Sequence, residues 1–187
     1  RLTRPAAMRP GVSPATVRTW NLFLLLVGGM SASAVWQGVR AVGRKRSRAA
    51  SRHPVDIGLP AGVIALAAVV LVLGVARGHV LSIVFGVGAS LLALGHLRFA
   101  IRPLTSKMAW WYGHMNGMLG AVIVAITAFS IAGLQRWLTI PRALSFIPWI
   151  APGLLLGPAS GLWQRYYRAR FGDAGPKPSA TPPPGTE

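Results

Sequence analysis

The sequence predicts an all-α, polytopic membrane protein: a bundle of five transmembrane helices with the N-terminus outside and the C-terminus cytoplasmic. Three observations carry that expectation. Hydrophobic residues fill 52% of the 187 positions, above the level of an ordinary soluble domain. They come in runs of about 18 or more, the length that crosses a hydrocarbon core roughly 30 Å thick. The charges, 20 Lys and Arg against 3 Asp and Glu, sit just outside those runs, where anionic headgroups and the insertion machinery read them.

Taken in order, residues 1–19 read as a flexible N-terminal segment, 20–171 as the transmembrane domain and 172–187 as a disordered tail. The spans fall near 20–42, 59–76, 79–101, 111–134 and 143–163. "SASAVW", Ser31 to Trp36, also fits a signal-peptide cleavage site. Cleavage there would require export of the dense positive charge that follows, so the first span is read as a true span. The link from Gly43 to Gly58 is basic and ends in "HPVDIGLP", where Pro54 and Pro60 are expected to keep helix from running through. Only "RG", Arg77 and Gly78, separates spans two and three, which predicts a tight antiparallel hairpin. Trp110, Trp111 and Tyr112 open span four, and Trp163, Tyr166 and Tyr167 close span five, as an aromatic belt would; Trp137 and Trp149 mark the opposite interface. The tail "GDAGPKPSATPPPGTE" has almost nothing to bury.

Orientation follows from the cations. With five spans, Arg1, Arg4, Arg9, Arg18, Arg77, Arg136 and Arg142 share one face, and the other thirteen of the 20 share the opposite one. The positive-inside rule puts the richer face, with the link after span one, in the cytoplasm. A start at Met8 would sharpen the asymmetry. The membrane expected is the bacterial cytoplasmic one, with anionic headgroups as the partners of these cations and nucleic acid excluded as a partner.

Helices in lipid associate through close backbone approach. Gly153, Gly157 and Gly161 stack at four-residue spacing on span five, and Gly113 and Gly117, then Ala121 and Ala125, on span four. These two spans are expected to form the tightest pair, with Asn116 hydrogen-bonding across the bundle. Pro158 interrupts span five, as a packing kink or as the wall of a cavity.

Much chemistry is missing. With no cysteine, disulfides, iron–sulfur clusters and thiol catalysis are excluded. The acids are Asp56, Asp173 and Glu187, none inside a hydrophobic run, which removes the intramembrane carboxylate of proton and cation transporters and the paired acids of glycoside hydrolysis. There is no HExxH or GxSxG, and "GVGAS" at Gly86 to Ser90 lies mid-span without the lysine of a phosphate loop. No residue is assigned a catalytic or metal-binding role, and an enzyme is not expected. No internal repeat supports an inverted-repeat transporter.

Four histidines remain. His53 and His79 lie at span ends, where solvated or capping roles are the default. His96 and His114 flank one hairpin at similar depth, an arrangement that could hold haem b or a quinone, with Met118 as a further ligand. The blander reading is that each is hydrogen-bonded near the interface; for His114 that bond would seat span four against spans three and five.

"WWYGHMNGMLGAVIVAITAF" followed by "IPWIAPGLLLGPASGLWQRYYRARF" resembles a group of uncharacterised bacterial integral membrane proteins, domains of unknown function, over roughly residues 107–171. The matching positions include Trp110, Trp111, His114, Met115, Gly117, Met118, Gly120, Thr127, Ala128 and Phe129, then Pro148, Trp149, Pro152, Gly157, Tyr166, Tyr167 and Arg168. The resemblance implies an inner-membrane protein and supplies no reaction. The leading expectation is a non-enzymatic accessory or scaffold protein, packing with other subunits or with itself through the glycine faces. A small redox protein using His96 and His114 is the alternative, and a small-solute transporter the third reading.

Overall fold

A computed structural model describes residues 13–51, 53–130, 141 and 144–173. The described residues form five helices and no strand: α1 Pro14–Gly43, α2 Pro54–Arg77, α3 Val80–Ile101, α4 Ala109–Phe129 and α5 Ile147–Arg170. The first four are long and apolar enough to cross a membrane. The fifth has the length, but Gln164, Arg165, Arg168 and Arg170 in its last two turns, with Pro152, Pro158 and its glycines, make it less apolar.

Two helices start earlier than the sequence suggested. Ser13 caps α1 by accepting from the Thr16 amide, and Pro14 takes the first-turn place where a missing N–H costs nothing. That adds six residues before Trp20 to the helix. Pro54 does the same for α2, behind the His53 cap, and Pro60 lies inside the helix. Both prolines therefore belong to α2, and the expected break at Pro54 and Pro60 does not occur. So close to the helix start, Pro60 frees only the carbonyl of Asp56, one turn from the end. Residues 1–12, Trp137, the tail from 174 onward and the outer ends of the expected spans four and five lie outside the described residues.

The helices alternate in direction, and α1 is the hub. Its successive faces meet α2, α3 and α4. α2 and α3 make the predicted hairpin: Gly78 ends α2 in the left-handed conformation at φ 63°, and the backbones close up where Cβ atoms on Gly74 or Gly86 would come within 2.8 Å of Ser82 or Leu71. α4 packs mainly on α1 and less on α5. A Cβ on Gly117 would lie 2.5 Å from the Gly38 backbone and 2.6 Å from the Ala34 carbonyl, and one on Gly113 would strike the Phe99 ring. The close-packed seam is thus Ala34, Gly38 and Ala41 of α1 against Gly113 and Gly117 of α4. The expected pairing of α4 with the α5 glycines is corrected: Cβ atoms on Gly153, Gly157 and Gly161 would meet nothing within 4 Å. Spacing alone does not say which neighbour a small face meets.

The apolar core lies toward the other end, where Phe23, Leu26, Val63, Ala67, Val70, Ala89 and Ala93 are buried with Trp149 of α5. Trp149 is only 9% exposed, its ring 5.2 Å from that of Phe23 and 6.1 Å from Phe85. It anchors α5 into the bundle rather than into the interface expected of it. At the basic end the belt is present as a wall: Trp111 stacks edge-on to Tyr112, Tyr167 and Phe171, and Trp163 and Tyr166 flank Tyr167.

Candidate functional site

The polar groups of the bundle collect at the basic end, on two sides of α1. On the α2 side, Trp36 and Arg40, one helical turn apart, both reach Asp56 in the first turn of α2. The indole Nε1 donates to Oδ1 at 2.7 Å, and the guanidinium grips both oxygens at 3.0–3.2 Å. The Ser51 hydroxyl donates to Oδ2. Asp56 is 7% exposed and Arg40 42%. A carboxylate at a helix N-terminus also faces the positive end of the helix dipole. The sequence reading treated Asp56 as a loop residue. The signal for its role was there: an acid three residues after a helix cap, opposite an i, i+4 Trp–Arg pair.

Arg44 caps the other end of this knot. It is 8% exposed, although it lies in the basic link after α1. Its guanidinium donates to the carbonyls of Ala49 at 2.8 Å, Arg102 at 2.7 Å and Phe99, and lies 4.8 Å over the Phe99 ring. Burial lowers its pKa from the ordinary arginine value, with Asp56 opposing that shift and Arg40 adding to it. The two links it ties are paired directly, Ser51 N–H to Ala100 carbonyl at 2.8 Å and Leu104 N–H to Arg48 carbonyl at 2.7 Å.

The histidines are all accounted for by local bonds. His53 and His79 cap α2 and α3, accepting from the amides of Val55 and Ser82. His96 Nδ1 is 2.7 Å from Ser33 Oγ, and His114 Nδ1 is 2.7 Å from the Gly38 carbonyl. A carbonyl only accepts, so His114 carries its proton on Nδ1. Both reach α1, and α3 and α4 have little mutual contact. Ser33 and Gly38 are five residues apart, about 140° around the helix and about 7.5 Å along it. His96 lines a cleft that His114 does not. The structure therefore does not bring the two together around a common space, as a shared haem would need. His114 seats α4 on α1, rather than on α3 and α5 as expected. Met118 is turned into the α1 seam, its methyl at Gly38, and does not join a ligand set. Met115 is buried at 9% exposure, and Thr127 bonds back to the Ile123 carbonyl at 2.9 Å. Phe129, at 71% exposure, faces outward, and Lys45 Nζ lies 5.2 Å over the Trp110 ring.

On the far side of α1 the bundle opens. α5 is held to it by Trp149 at one end and to α4 along its length, but it hardly touches α3. The result is a cleft of about 710 Å³, within the roughly 300–1,000 Å³ of small-molecule sites. Its inner part is apolar, with Leu91, Leu92, Leu119 and Ile123 beside the bare backbones of Gly95, Gly120 and Gly157. Gln37, His96, Asn116, Ser160 and Gln164 make a polar band, and Arg98, Arg102, Arg168 and Asp173 stand at the mouth. The Gln164 amide donates to Asn116 Oδ1, the cross-helix bond expected of Asn116, though between α4 and α5. Asp173 accepts from Ser106 Oγ at 3.0 Å, and the Arg168 guanidinium lies 5.0 Å over the Tyr112 ring.

Two side-chain atoms in the cleft wall are buried without a hydrogen bond among the described residues, Gln37 Oε1 and the Tyr112 hydroxyl. Tyr112 is 5% exposed and has the Asp173 carboxylate as its polar neighbour. Buried polar atoms left unpaired cost about 1–3 kcal/mol each, so their place in the wall makes this cleft the candidate binding site; Gln37 also lines the small space on the α2 side. No group of three or more His, Cys, Asp or Glu able to hold a metal ion occurs among the described residues. Comparison with protein-family models, with curated proteins and with solved structures finds no match to the chain.

Proposed function

We propose that the chain is a non-enzymatic accessory protein of the bacterial cytoplasmic membrane, with five spans, N-terminus outside, and that it works by holding a ligand in the cleft of α1, α3, α4 and α5. One observation carries this reading: an open cleft of about 710 Å³ whose wall contains the unpaired Gln37 Oε1 and Tyr112 hydroxyl. α5 counts as the fifth span because its 24 residues could reach across the hydrocarbon core, and its four polar or charged side chains near the C-terminus gather at the interface where such groups reside. The orientation rests on the division of the cations in the sequence, thirteen on the richer face against seven, by the positive-inside rule.

The absence of cysteine from the sequence provides the test. A Ser160→Cys variant places one thiol in the cleft wall, and a membrane-impermeant maleimide should label it in inside-out vesicles and not in right-side-out ones. Labelling from neither side would remove the cleft, and labelling from the outside alone would invert the topology.

A second reading, that α5 docks a helix of another subunit or of a second copy, is favoured by the open space over Gly153 and Gly161. It expects Gly161→Leu to abolish co-purification or cross-linking of that helix. Retained cross-linking would sink it.

A further inference from the structure

Three features of the cleft bear on what it holds, given the reading that it is a binding site. Its depth is graded: leucine, isoleucine and glycine surfaces inside, a polar band, then arginines at the helix ends. Its mouth is cationic. Arg98 and Arg102 at the end of α3 and Arg168 near the end of α5 face it, and Asp173, the acid of the lining, already accepts from Ser106. It also opens sideways, because α3 and α5 barely touch and Leu91, at the cleft edge, is 67% exposed.

We propose that the cleft is a site for an anionic phospholipid of the surrounding leaflet, with its phosphate among Arg98, Arg102 and Arg168 and one acyl chain between α3 and α5. Guanidinium groups at a helix end meet phosphate with paired, charge-assisted hydrogen bonds. The Tyr112 hydroxyl, buried and unpaired, becomes a donor to the phosphate or glycerol oxygens. The acyl chain covers the bare backbones of Gly95 and Gly157, where a Cβ would meet nothing within 4 Å. A soluble phosphate compound would use the same arginines but leave the apolar half of the cleft open. The sideways opening and the depth grading favour the lipid.

The experiment uses the full chain in a neutral detergent, with unfolding followed by tryptophan fluorescence. Dioleoylphosphatidylglycerol should raise the midpoint by about 5 °C over an equal mole fraction of dioleoylphosphatidylcholine. That difference should vanish in Gly157→Leu, whose side chain grows into open cleft space, and in the double variant Arg98→Gln with Arg102→Gln. It should persist in Gly62→Leu, an exposed α2 glycine that also has nothing within 4 Å. Equal stabilisation by the two lipids, or a difference that survives Gly157→Leu, overturns the proposal. So does stabilisation by glycerol 3-phosphate with the same dependence on Gly157, which would make the occupant a soluble phosphate. Ser160→Cys labelling is independent of all these outcomes, so an open cleft without lipid preference is distinguishable from no cleft.

Discussion

The two sides of α1 at the basic end are built from the same materials and arranged in opposite ways. On the α2 side, one carboxylate receives hydrogen bonds from an indole, a hydroxyl and a guanidinium, and a second arginine ties two links through three carbonyls. The space left there is about 20 Å³, and it is lined by Arg44, whose Nε is buried unpaired, and by Gln37, whose Oε1 is too. On the α5 side, arginines, a tyrosine, two glutamines and an aspartate surround a cavity of about 710 Å³, where the Tyr112 hydroxyl is buried unpaired and Gln37 is shared with the α2 side. The difference lies in the helix contacts. α2 and α3 join through a two-residue turn and close-approaching glycines, whereas α5 leans on α4 and meets α3 at the Trp149–Phe85 pair. Polar residues that meet each other make a clasp, and the same residue types held apart leave an open cleft.

That contrast predicts how substitutions should divide. The largest effect belongs to Asp56→Ala, which strands Arg40, Trp36 and Ser51 around an emptied position. About 3 kcal/mol should be lost, the lower end of the cost for breaking a buried pair because Arg40 is half-exposed. Asp56→Asn, keeping an acceptor, should lose less in the same detergent unfolding experiment, and equal losses would argue that charge alone holds the clasp. Next comes Gly117→Ala, whose new Cβ meets the Gly38 backbone at 2.5 Å. Separating α1 from α4 should cost about 1–3 kcal/mol, while Gly161→Ala on the open face of α5 should be near neutral. Equal effects at the two glycines would contradict the α1–α4 seam.

Smaller still is His114→Phe, which removes the bond to the Gly38 carbonyl and should cost about 1 kcal/mol. A loss several times larger would mean that His114 does more than seat the helix. The smallest change is expected for Gln37→Leu in the cleft wall. Removing an unpaired buried acceptor should leave unliganded stability unchanged or slightly raised. A marked loss there would show that the cleft side is as fully bonded as the clasp.

How much of this was legible is seen at particular residues. The apolar runs, the Arg77–Gly78 turn and the capping histidines could be read directly, since span length and cap chemistry depend on residues close in sequence. Pro54 and Pro60 misled because a proline stops a helix only where an earlier turn exists to be broken. The glycine faces of α4 and α5 were correctly seen as small, and wrongly joined. His96 and His114 were expected at a similar depth, but their partners on α1, Ser33 and Gly38, lie about 7.5 Å apart along that helix, and depth does not show that α1 carries the partners of both. Asp56 was counted as a loop acid because its partners are 16 and 20 residues away.

By itself, the sequence determined a helical chain with apolar runs long enough to span a membrane, read as five where four of the described helices have that length and composition, a cation-rich end and the absence of cysteine. These depend on composition and on near neighbours, and the lipid environment enforces them whatever the packing. The tertiary structure alone decided that α1 is the hub, that Asp56 and Arg44 close one side of it and that α5 stands off α3 on the other. In lipid, helices are chosen as neighbours by the fit of small faces and by pairs of polar groups far apart in the chain, and neither is written in any single span.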